Sequence, residues 1–80
     1  MSVQIYAPNR TIVDHEQVSK NELIVLEQLE KDEGTNVYCV RQYLLIDGVF
    51  KPQNGTYIEG LERAKDLFVL KIIDARLTLM

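Results

Sequence analysis

The residue types best suited to chemistry are scarce in this chain of 80 residues, which has one cysteine, Cys39, and one histidine, His15. A thiolate–imidazole pair would need these two to meet, with the thiol partly exposed beside positive charge. Cys39 instead sits between Tyr38 and Val40 in an apolar run, the setting of a buried structural thiol. His15, between Asp14 and Glu16, is expected on an exposed loop. With one Cys and one His there is no spacing that could assemble a zinc site and no disulfide. The acid pairs Glu30/Glu33 and Glu59/Glu62 share a helical spacing, but glycosidase-type catalysis needs two carboxylates across a cleft, which a chain of this length seldom builds. Gly34, Gly48, Gly55 and Gly60 match neither GxGxxG nor a P-loop. The sequence therefore points away from an enzyme, with no cofactor and no metal.

Residues suited to recognition are more plentiful. Asp14 to Glu33 carries seven acids against Lys20 and Lys31, whereas residues 34–80 carry five acids against six bases. One sector is acidic, and the formal net charge is −3. Glu27, Glu30, Asp32 and Glu33 are the acids that could engage a basic protein partner if their segment is a helix. Tyr38, Arg41 and Tyr43 form the nearest approach to an aromatic and basic surface; in a strand Tyr43 shares Arg41's face and Tyr38 points the other way. Phosphate backbones bind where Lys and Arg cluster, and this chain has no such cluster. Nucleic acid is thus a poor fit, although a helix opened by Ser19 and a hairpin at Asp47-Gly48 are parts that a winged-helix protein also contains.

The elements that must position these residues follow from period and punctuation. Ser2 to Ala7 alternates as a half-buried strand, Pro8-Asn9 breaks it, and Thr11 to Val13 could return as its hairpin partner. Ser19-Lys20-Asn21-Glu22 fits a capping box, and Leu23, Leu26 and Leu29 recur at helical spacing before Gly34, so a helix is expected from Lys20 to Asp32. Ile24 and Val25 widen its apolar surface beyond one stripe. Val37 to Ile46 reads as a strand, Asp47-Gly48 as the strongest hairpin turn, and Val49-Phe50 as the returning arm, with Pro52 ending it or marking an edge. A second helix is expected from Thr56 to about Leu67, or from near Gly60 if Thr56 to Ile58 pairs as a strand. Ile73, Ala75, Leu77 and Leu79 alternate with Asp74, Arg76 and Thr78 and favour a last strand; with no Gly or Pro between, a continuous helix is the other reading.

The expected fold is a single small α+β domain over residues 1–80, an antiparallel or mixed sheet with two helices packed on it in the order β-β-α-β-β-α-β. No segment reaches the roughly 20 apolar residues of a bilayer span, and the N-terminus lacks the charge and apolar stretch of a signal peptide. A cytoplasmic protein and no membrane are expected. A hydrophobic content of 46% is a large apolar load for so short a chain. It suggests a regulatory or interaction module that binds itself, as a homodimer, or another protein.

Overall fold

A computed structural model describes residues 5–6, 10–29 and 37–78. Four strands form one antiparallel sheet in sequential order: β1 (Arg10–Ser19), β2 (Glu22–Leu29), β3 (Val37–Ile46) and β4 (Val49–Glu59). A single helix, α1 (Leu61–Thr78), follows. The arrangement is still α+β, but the order with two helices and a last strand is overturned at both ends of the chain.

The first correction falls on Lys20–Asp32. Ser19 pairs with Glu22 across a tight turn, and Glu22–Leu29 is β2, paired with β1 on one side and β3 on the other. The capping-box residues reverse the chain instead of opening a helix: the Ser19 hydroxyl accepts from the Asn21 amide two residues on, a local bond that competes with helix initiation. The unbroken run Leu23-Ile24-Val25-Leu26 is what a strand covered on both faces requires, since every residue then needs to be apolar. All four are buried. Glu30, Asp32 and Glu33 lie outside the described residues. The helix that a winged-helix arrangement would take from Ser19 is therefore strand.

The second correction falls on the last strand. From Leu61 to Thr78 the helix is continuous, because no Gly or Pro in that stretch breaks it and both sheet edges discourage a further strand. Edge strand β1 carries two bulges and the charged run Asp14-His15-Glu16, features that discourage further pairing. Edge strand β4 contains Pro52, which has no amide to offer, and is bridged in parallel by Ile5 at Phe50, with the Tyr6 amide donating to the Phe50 carbonyl at 2.9 Å. Thr11–Val13 does form strand, but within β1, whose partner is β2.

Other expectations hold. Asp47-Gly48 joins β3 to β4 with φ of 52° and 81°, the left-handed pair of a tight hairpin. β4 runs through Thr56–Ile58 to Glu59, so the helix starts after Gly60, whose carbonyl accepts the Ala64 amide at 3.0 Å. Alternation along the strands divides the core between the two sheet faces. On one face Ile24, Leu26, Tyr38 and Val40 pack under Ala64 and Phe68 of α1, with Ile72 and Ala75 continuing the same helix side. On the other, Leu23, Val25, Tyr43 and Phe50 pack with Ile5 and Ile12.

Candidate functional site

Glu27 is the polar residue most deeply placed in this sheet, with no exposed surface. It continues the Leu23-Val25 side of β2, opposite Cys39 of β3, while Val25 stands opposite Arg41 and Leu23 opposite Tyr43. Antiparallel register thus puts Glu27, Cys39, Arg41 and Tyr43 on the sheet face away from α1. The Arg41 Nε donates to Glu27 Oε1 at 3.0 Å and the Tyr43 hydroxyl donates to Oε2. Arg10 of β1 approaches the same carboxylate at 3.6 Å. The other Arg41 nitrogens donate to the Gln53 carbonyl at 2.6 Å, the Tyr57 hydroxyl at 3.2 Å and the Cys39 sulfur at 3.3 Å. Its guanidinium carbon stands 5.8 Å from the centre of the Tyr57 ring.

Arg41 and Tyr43 both donate to the Glu27 carboxylate, whereas the Arg10 Nη1 is buried with no hydrogen-bond partner. Burial works against the charged form of Arg41, but hydrogen bonds to Glu27 and Tyr57 outweigh it and hold its pKa above the ordinary arginine value. Burial, reinforced by the bond to Glu27, pushes the Tyr43 hydroxyl up to about 12. Burial also raises the Cys39 thiol, and the adjacent Arg41 only partly offsets it. A thiol so placed is a poor nucleophile at neutral pH. His15 sits exposed on β1, separated from Cys39's strand by β2, so the two do not form a pair. Gly55, opposite Arg41 in β4, is glycine for reasons of space: a Cβ there would stand 2.6 Å from the Cys39 sulfur and 3.1 Å from the Arg41 Cβ and Cζ.

The structure thus brings together three residues singled out in the sequence, Glu27, Arg41 and Tyr43, and turns them inward. Tyr38 lies on the opposite face, under α1. No acidic helix face exists at Glu27, which is a strand residue paired to arginine. The sequence signal for this cluster was the alternation of Cys39, Arg41 and Tyr43; its partner Glu27 was legible only once Glu22–Leu29 was read as strand.

Two surface features remain. A cleft of about 440 Å³ opens between the sheet and the C-terminal half of α1, lined by the apolar Ile24, Val40 and Ala75 and by polar residues that include Glu22, Lys71 and Asp74. The charges that line it, Glu22, Arg41, Lys71 and Asp74, are of both signs. The outward side of α1 is different in kind. Val69, Leu70, Ile73 and Leu77 are 52%, 62%, 49% and 63% exposed, and their spacing of one, three and four residues places them side by side on the helix. Sequence reasoning assigned these residues to a core strand, and so missed them as surface.

Among the described residues no group of three or more His, Cys, Asp or Glu side chains is placed to hold a metal ion, and no helix is long and apolar enough to cross a membrane. Comparison with known proteins returned no matching family model, no matching curated protein and no matching solved structure.

Proposed function

We propose that this protein is a small, non-enzymatic interaction module of regulatory type, acting by binding itself or another protein through the outward face of α1. The observation that carries the reading is the apolar stripe Val69-Leu70-Ile73-Leu77, 49–63% exposed on a helix whose opposite side already supplies the core. Four large side chains together expose a patch on the order of a few hundred Å², a size that on a monomer commonly marks a binding site. The buried Glu27–Arg41 network serves the sheet that presents this helix. The buried, unpaired Cys39 thiol suits a reducing compartment, and we place the module in the cytoplasm.

Photo-crosslinking in the cells that make the protein tests this. A photoreactive residue at Leu70 is expected to give a covalent adduct with a polypeptide, whereas the same residue at Val13, on edge strand β1, gives none. Absence of an adduct from Leu70, or equal yields from the two positions, would refute the proposal.

A further inference from the structure

We infer that the occupant of the α1 face is a second copy of this chain, docked helix against helix in antiparallel orientation; this rests on the interaction-module reading above. Along the outward side, Glu62, Asp66, Val69, Ile73 and Arg76 are spaced alternately by four and three residues, which lines them along one seam of the helix. The seam has its acids at the N-terminal end, apolar residues in the middle and Arg76 toward the C-terminal end. Such a polarity makes the face complementary to itself in one orientation only.

With a two-fold axis level with Lys71, Asp66 of each copy faces Arg76 of the other, and Val69 faces Ile73, each contact occurring twice as a symmetric interface requires. Leu70 lies on one flank beside its own counterpart across the axis, and Leu77 falls beside the aliphatic stem of the other copy's Arg63. Val69, Leu70 and Ile73 are thereby covered by their counterparts, and Leu77 by the Arg63 stem. A parallel pairing would instead set Asp66 against Asp66 and Arg76 against Arg76, which like-charge repulsion disfavours.

Arg76 is available for this exchange. It pairs with Glu16 of β1, but both side chains are about half exposed, and an ion pair in that setting is screened by water and contributes little. Asp66 is exposed and takes part in no ion pair among the described residues. Because α1 packs on the sheet through its opposite side, through Ala64, Phe68, Ile72 and Ala75, the dimer needs no rearrangement of the fold. It would stack sheet, helix, helix and sheet.

The test uses purified full-length chain and sedimentation equilibrium at concentrations reaching millimolar, the weak end of specific association. Wild type is expected to reach twice the chain mass. Asp66→Arg places four cations at the two contacts and Arg76→Asp four acids, so each variant alone is expected to dimerise at least about tenfold more weakly. Mixed one to one, the two variants restore both opposite-charge contacts, and the mixture is expected to regain the wild-type association. Circular dichroism confirms that each variant is folded, and Leu70→Glu supplies an independent disruption of the same face. A wild-type chain that stays monomeric throughout would overturn the second copy as occupant, yet leave the interaction module standing if Leu70 crosslinks to a different polypeptide in cells. Single variants that dimerise as wild type does, or a mixture no tighter than its components, would overturn the antiparallel pairing.

Discussion

Replacing Glu27 by leucine removes the one carboxylate that Arg41, Tyr43 and Arg10 share. Arg41 is 8% exposed, so its charge would lose its counter-ion without gaining water, a situation that costs about 3–5 kcal/mol. A domain of this length has roughly 4–12 kcal/mol of stability in total. Glu27→Leu alone is therefore expected to lose about a quarter or more of the total stability. The triple variant Glu27→Leu, Arg41→Met, Tyr43→Phe removes the charge and both hydrogen-bonding partners together while keeping much of the volume. What remains unpaired is chiefly the Gln53 carbonyl that Arg41 had served at 2.6 Å, worth about 1 kcal/mol, since the Arg10 Nη1, 3.6 Å from Glu27, is buried without a hydrogen-bond partner and has no such bond to lose. The triple variant should thus lie within about 2 kcal/mol of wild type. Urea unfolding followed by circular dichroism reads all three proteins on one scale. The reasoning fails if Glu27→Leu costs less than about 1 kcal/mol, or if the triple variant is no more stable than the single one.

Gly55→Ala is expected to cost about 1–3 kcal/mol through overpacking, because the Arg41 Cβ at 3.1 Å is fixed to its backbone and cannot yield. Cys39→Ala in the same chain should recover part of the loss by removing the sulfur at 2.6 Å; urea midpoints showing no loss in the single variant would contradict this account of the glycine. For Tyr43, the folded pKa of about 12 lies above the ordinary tyrosine value near 10. Its contribution to stability is fully present below pH ~10 and is lost as pH rises toward ~12, a fall of about 2–3 kcal/mol. Tyr43→Phe should flatten that part of a stability-against-pH curve, and an unchanged slope would show that the hydroxyl is not the group responsible.

Local chemistry alone specified several parts of this protein. Asp47-Gly48 needs two left-handed residues in sequence, and few dipeptides other than this kind supply them at low cost, so the β3–β4 hairpin was legible without any tertiary contact. The alternation Cys39-Arg41-Tyr43 against Tyr38-Val40 likewise fixed which side chains share a face of β3, and the structure places them so. The scarcity of Cys and His limited the available chemistry before any fold was known.

Tertiary structure decided the rest, where local signals were degenerate. Leu23-Ile24-Val25-Leu26 fits a broad-faced helix as well as a strand covered on both sides; pairing with β1 and β3 at once selects the strand, and only then does Glu27 fall opposite Cys39 and within reach of Arg41. The stretch from Leu67 to Thr78 held both periods. Continuity with the helical turn begun at Leu61, with β1 and β4 already forming the sheet's two edges, keeps it helical. That choice leaves Val69, Leu70, Ile73 and Leu77 facing outward. In a strand buried in the sheet these residues would have been core. Whether an apolar residue ends up as core or as binding surface depends on which elements cover it, and that is a property of the assembled sheet and helix that no short window of sequence contains.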